Sequence, residues 1–246
     1  MKYFVVSDVH GFYTELMNAL IKEGFDEENP EHKLIVCGDL MDRGKEPFEL
    51  QEYIIKLLEK DKVILVRGNH EDLALEMINN FDDYARDIMY THHAHNRTIH
   101  TMLDLTGMDL SIAMFEPDDF KAACKKTRFI KDIIPKMVDF FETEHYIFVH
   151  GWIPDSYRGY TKGWRTANPK AWERARWTNG IDSAMYYKCT EPGKTIVCGH
   201  WHCSYGHEVY EKGSSEDYSP FYGDGIIAID ACTAYSGKVN CIVIED

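Results

Sequence analysis

Tyr3-Phe4-Val5-Val6-Ser7-Asp8-Val9-His10-Gly11 opens the chain with four apolar residues, followed closely by an acid, an imidazole and a glycine. The apolar run reads as a buried strand, and the groups behind it place metal-binding chemistry at the strand's carboxyl end. The same pattern recurs twice. Lys33 to Cys37 runs into Gly38-Asp39-Leu40-Met41-Asp42-Arg43-Gly44, and Lys62 to Val66 runs into Gly68-Asn69-His70-Glu71. Between these strands the spacing turns helical. Phe12, Leu16, Ala19 and Leu20 share one face with Gly24 as a stop, and Phe48 through Lys60 repeats the pattern. A β-α-β-α-β order implies parallel strands joined by helical crossovers, and ligands of such sheets collect at strand carboxyl ends.

From Glu71 to about Lys136 the pattern is helical and irregular, which predicts a helical cap at about residues 72–140 inserted within one domain spanning residues 1–246. Its histidines, His92, His93, His95 and His100, cannot share one helical face, so they are expected to be exposed or packed rather than a third metal site. Strands resume at Tyr146 to Val149, Thr195 to Cys198, Gly225 to Asp230 and Val239 to Ile244, so the second half reads as mostly β. Two more polar clusters follow these strands, His150-Gly151 and Gly199-His200-Trp201-His202.

Composition narrows the class. With 246 residues, 44% hydrophobic and 28% charged, the chain can bury a full core and is neither disordered nor fibrous. No run approaches the roughly 18 apolar residues of a membrane span, and the amino terminus lacks a signal-peptide pattern, so a cytoplasmic protein without membrane contact is expected. A net charge of −14 argues against nucleic acid as a partner. Seven cysteines without a C-x-x-C pair predict reduced, mostly buried thiols, Cys198 and Cys203 among them.

Each polar cluster alone is weak evidence. Five of them behind apolar strands, all built from carboxylate, imidazole and amide groups, have no inexpensive structural explanation, because burying such groups unpaired is costly. At this point the sequence resembles the calcineurin-like metallophosphoesterases, and within them the phosphoprotein phosphatases of the serine/threonine type, whose D-x-H, G-D-x-x-D-R-G, G-N-H-E, H-G and G-H motifs occur here in order. The resemblance implies an α/β fold in which a two-sheet β-sandwich is flanked by helices. It further implies two divalent ions (Mn, Fe or Zn), with Asp8 and His10 on the first, Asp39 bridging, and Asn69, His150 and His200 on the second. His202 resembles the residue that completes the first site in the wider superfamily. The implied reaction is hydrolysis of a phosphate ester by a hydroxide bridging the ions, with His70 protonating the leaving alkoxide, Asp42 orienting His70, and Arg43 gripping phosphate oxygens.

Between Arg158 and Arg176 the local charge reverses: Arg158, Lys162, Arg165, Lys170, Arg174 and Arg176 stand against Glu173 alone, with Trp164, Trp172 and Trp177 interleaved or adjoining. Two expectations follow. Either the segment closes on an anionic substrate, making Arg174 and Arg176 substrate-binding, or it packs on the acidic cap. The resemblance points to a phosphorylated protein or small phosphate ester as substrate, with symmetrical diadenosine tetraphosphate hydrolysis as the alternative. A scaffold that binds partners without turnover is disfavoured by the complete ligand set.

Overall fold

The computed structural model describes residues 1–154 and 163–246. Three parallel strands, β1 (Lys2–Val6), β2 (His32–Cys37) and β3 (Val63–Val66), form one sheet in the order β3-β2-β1, closed on the far side by antiparallel β9 (Ile242–Glu245). The crossovers are α1 (Tyr13–Glu23) and α2 (Pro47–Glu59). Leu16, Ala19 and Leu20 are buried, and Gly24 ends α1 with φ of 79°, donating back to Ile21 and Leu20 as a left-handed cap does.

The second sheet runs β4-β5-β6-β8-β7, from Phe141–Glu142, Tyr146–Phe148, Thr195–His202, Ile226–Asp230 and Phe221–Gly223 respectively. Its central strands β5, β6 and β8 are parallel, and the edges β4 and β7 are antiparallel. Val5, Ile35, Cys37 and Val66 of the first sheet meet Phe148, Val197 and Ile229 of the second in a shared apolar layer. Truncating one of these, such as Ile35 to Ala, would cost about 2–5 kcal/mol through lost burial and the cavity left behind. The two-sheet sandwich flanked by helices is the expected fold.

Two features differ from expectation. Strand β6 does not stop at Cys198; a register shift between Cys198 and His202 lets it continue, so the Gly199-His200-Trp201-His202 cluster lies within the strand's irregular end. The second half also carries helices, at Pro169–Ala175, Gly180–Met185 and Cys203–Tyr210. Asn168 and Asn179 cap the first two, each side chain accepting an N–H three residues on, and Pro169 supplies a first-turn proline.

Between β3 and β4 the chain is helical, beginning with α3 (Asn69–Asn79). Phe81, Ile99, Met102 and Phe120 from this region share one core with the residues of α1 and α2. Among the described residues no helix is long and apolar enough to cross a membrane.

Candidate active site

The carboxyl ends of β1, β2 and β3 meet those of β5, β6 and β8 along one edge of the sandwich. A cleft of 130 Å³ there is lined by Asp8, His10, Asp39, Arg43, Asn69, His70, Asn96, Trp177, His200, His202 and Asp230. Five of these side chains leave a left-handed backbone, with φ of 49° at Asp8, 52° at His10, 54° at Asp39, 58° at Arg43 and 66° at His200, and Asp42 just behind does so at 76°. Such conformations cost about 1–3 kcal/mol each away from glycine and persist only where neighbours impose them. Here the neighbours are backbone bonds and one buried acid. His10 and Gly11 donate to the Asp39 and Leu40 carbonyls at 2.9 and 2.7 Å. Glu71, fully buried, accepts the N–H groups of Gly68, Leu40 and Asp39 at 2.7, 2.9 and 3.1 Å, tying two strand ends together. Gly68 and Gly199 have to be glycine, because a Cβ on either would fall 2.1 Å from a carboxylate oxygen, of Asp39 and Asp8 respectively.

The imidazoles are oriented from behind. His10 and His150 each set Nδ1 2.9 Å from a carbonyl, of Met41 and Cys37; a carbonyl only accepts, so Nδ1 donates to it and Nε2 is turned toward the cleft. The Nε2 of His10 lies 3.7 Å from Asp39 Oδ2, and that of His150 lies 3.4 Å from Asp39 Oδ1 and 2.7 Å from Asn69 Oδ1. Two three-residue sets, His10–Asp39–His70 and Asp39–His150–His200, each bring their ligand atoms within 4.8 Å of one another, and Asp39 belongs to both.

Charge follows the same geometry. Burial and the Asp39 charge push the Asp8 carboxyl up, against the pull of His150. Burial also raises Asp39, but His150, His70 and His10 outweigh it and hold the group ionised. Burial, then His70, pushes His10 well down; burial, then His150, takes His200 to about 3, so both imidazoles stay neutral. Buried carboxylates facing neutral imidazole lone pairs and an amide oxygen make a donor set that suits hard or borderline divalent cations. Among the described residues that line the cleft, Arg43 and His70 are the groups that balance that charge.

His70 belongs to the first of the two three-residue sets, but it differs from the other imidazoles in having a carboxylate behind it. Its Nδ1 is 2.8 Å from Asp42 Oδ2, and its Nε2 is 3.9 Å from Asp39 and 3.5 Å from Arg43 Nη2. Burial lowers its pKa, but the charges of Asp39 and Asp42 win and raise it to about 9.

The chain is matched over residues 1–204 by the profile of the calcineurin-like phosphoesterases. It belongs to that family. A bis(5'-nucleosyl)-tetraphosphatase of the asymmetrical kind from Anoxybacillus flavithermus is 29% identical over 138 residues, 53% of this chain and 49% of that protein. Serine/threonine-protein phosphatase T of Saccharomyces cerevisiae is 34% identical over 88 residues, 35% of this chain and 17% of that protein. The matched part of the chain thus spans half or less of these relatives' length. A cold-active protein-tyrosine phosphatase of a Shewanella species shares the fold, with a TM-score of 0.54 at 16% identity, covering 100% of this chain and 75% of that one.

The basic segment of this calcineurin-like phosphoesterase is spent largely elsewhere. Arg176, only 7% exposed, donates Nε to Asp72 and Nη1 to Asp139, both at 2.7 Å, so its expected place on the substrate is taken by two carboxylates. Arg165 is engaged by Glu142 and Glu191 and lies over Trp164. Trp164 and Trp172 are buried in the second sheet's core, and Arg174 is exposed outside the cleft. Arg158 and Lys162 lie outside the described residues. Trp177 is the exception: half exposed, it lines the cleft edge-on to His200, 5.8 Å between ring centres.

Among the cap histidines, His93 is buried with Nε2 2.9 Å from Glu76, and His92 stands beside it. Two cleft residues had no role in the sequence reading. Asp230, 3% exposed and 3.8 Å from His202, ends β8 as an acid behind an apolar strand, the signal that marked Asp8 and Asp39. Asn96 carried no such signal. Burial and Asp8 push the Asp230 carboxyl well up.

Proposed function

We propose that this chain is a metal-dependent phosphomonoesterase of the protein phosphatase type, holding two divalent ions through Asp8, His10, Asp39, Asn69, His150 and His200, with His202 at the first. The observation that carries the reading is the contact set His70–Asp42 and His70–Arg43 directly beside Asp39. Bound there, the ions would supply Lewis acidity and an activated water. The protein's own groups do the rest. Asp42 holds the Nδ1 side of His70 and supports its positive charge, so Nε2 faces the cleft with a proton for the leaving oxygen. Arg43, whose Nη2 meets no carboxylate among the described residues, is available to grip phosphate oxygens as charge shifts toward them. The cleft's 130 Å³ suits one phosphoryl group and its nearest atoms.

A dinucleoside polyphosphate is the second reading, supported by half-exposed Trp177 on the rim, where a base could stack, and by the tetraphosphatase likeness. Manganese-loaded protein assayed in parallel on a phosphoserine peptide, p-nitrophenyl phosphate and diadenosine tetraphosphate separates the two. A peptide kcat/KM at least about tenfold above that of the dinucleotide is expected, about 1.4 kcal/mol of transition-state preference. The reverse ratio would install the second reading.

A further inference from the structure

The turn bearing Asp42 and Arg43 has two left-handed residues in a row, at φ of 76° and 58°. It is fixed from one side by Gly44, whose N–H donates to the His10 carbonyl at 2.7 Å. From the other side it is fixed by a segment some fifty residues later in the chain. The Arg43 N–H donates to the Asn96 carbonyl at 3.0 Å, and the Thr98 hydroxyl donates to Asp42 Oδ2 at 2.7 Å. Thr98 and Asp42 are 0% and 1% exposed, so no water competes for this bond. The same Oδ2 accepts from His70 Nδ1 at 2.8 Å. One oxygen serves two donors, and where Thr98 holds it decides where the His70 ring points. Arg97, just before Thr98, is itself left-handed at φ of 64°, a strain that brings Thr98 to the head of the helix Thr98–Thr106.

We propose that Thr98 is a positioning residue for phosphate-ester cleavage: its hydroxyl locks Asp42 so that His70 presents Nε2 to the leaving oxygen. The helical region after β3 thereby contributes to the chemistry. This rests on the reading of His70 as proton donor.

Thr98→Val keeps the shape and removes the hydroxyl; Thr98→Ser restores it. In the manganese-loaded full chain, Thr98→Val should lower kcat on an alkyl phosphate on the order of tenfold, the rate equivalent of one hydrogen bond to a charged group. On p-nitrophenyl phosphate, whose leaving group needs little protonation, the loss should stay under about threefold. KM and melting temperature should barely move, and Thr98→Ser should recover most of the rate. In a His70→Asn background Thr98→Val should cost nothing further, because the two act as one unit. Nitrogen NMR of the His70 ring should show a changed Nδ1 environment in Thr98→Val and a near-native one in Thr98→Ser. Equal losses on both esters, a Ser variant as poor as Val, or an unchanged His70 signal would each overturn the proposal. If His70→Asn itself shows no leaving-group dependence, the proton-donor reading falls, while the NMR comparison still reports whether Thr98 sets the ring. Should Thr98→Val not fold, Thr98→Ala carries the same expectations.

Discussion

Arg43 and Arg176 carry the same guanidinium and end in opposite situations. Arg43 leaves a left-handed turn, lines the cleft with Nη2 3.5 Å from His70, and closes no ion pair among the described residues. Arg176 is buried between Asp72 and Asp139, with Arg67 2.6 Å from the other oxygen of Asp72. The turn Asp39–Gly44 sits in a sequence of mixed charge, whereas the segment up to Arg176 is strongly basic; yet the turn faces the ligand groups and Arg165 and Arg176 are neutralised by acids elsewhere. Positive charge in a sequence therefore locates an anion site only where donors remain after the fold has used what it needs.

The largest effect available in the turn is at Asp39, the carboxylate common to both ligand sets. Asp39→Ala is expected to bring phosphatase turnover below detection and to lower bound metal from about two ions per chain. A purified variant with two ions and near-normal turnover would break the assignment of the turn to chemistry. Next come the two arginines, whose variants should separate cleanly. Arg43→Ala is expected to lower kcat/KM on the order of 10²-fold with little change in melting temperature, the outcome for a guanidinium that grips the reacting phosphate and closes no ion pair among the described residues. Arg176→Ala should leave the kcat/KM of folded protein unchanged and cost about 1–3 kcal/mol of stability by stranding Asp139 and taking one of two partners from Asp72, which keeps Arg67. Swapped outcomes would reverse the comparison.

The same contrast explains what could be read from the chain. Asp8, Asp39 and Asn69 were visible because each closely follows a short apolar strand, and Asp39 and Asn69 also adjoin a glycine, so position along the sequence and position in space coincide. Asp230 satisfies the first of those conditions at the end of β8 and could have been picked out by it. Arg176 could not be placed: its partners lie 104 and 37 residues away, and nothing local distinguishes a guanidinium that will meet Asp72 and Asp139 from one that will meet phosphate. Thr98 and Asn96 are invisible for the same reason. The helices Pro169–Ala175 and Cys203–Tyr210 were missed because each is about two turns long, too short for a periodic apolar face to stand out from loop composition.

Protonation offers a further way to set the two arginines apart. Opposed by burial but carried by Asp39 and Asp42, the His70 pKa stands at about 9 in the fold against about 6.5 when unfolded. A raised histidine contributes stability that is fully present below the unfolded value and is lost as pH climbs through the folded one. Glu71, raised to about 7 by burial and by Asp39, works in the same direction only below that pH, while neutral His10 and His200 work oppositely below about 6.5. From pH 7 to 9 His70 contributes in this direction beside His145, raised by Asp246, His207, raised by Glu211 against burial, and Asp230, pushed well up by burial and Asp8. Protein stripped of metal should lose several degrees of melting temperature across this window, and His70→Asn should make the dependence shallower. Arg176→Ala should lower the melting temperature equally at both ends, since arginine does not titrate there. A His70→Asn variant as pH-sensitive as the parent would place the dependence elsewhere.

The smallest effect is expected at Arg174, and it tests the rule drawn from the other two. Arg174 is exposed, lies outside the cleft, and follows the segment's buried Trp172 by two residues. Unlike Arg176 it has no carboxylate partner among the described residues, which leave its donors available; unlike Arg43 it does not line the cleft. Its charge can act on an approaching phosphate only through solvent, which salt screens over a Debye length of about 8 Å at physiological ionic strength. Arg174→Ala should therefore lower kcat/KM by less than about threefold at low salt, through slower encounter on a chain whose net charge of −14 repels anions, and the deficit should vanish near 0.15 M salt. Arg43→Ala should keep its deficit at any salt, because a contact inside the cleft is poorly screened. A loss above about tenfold at Arg174 that survives salt would mean that free donors outside the cleft reach the bound substrate, and the rule that separates Arg43 from the basic segment would have to give way.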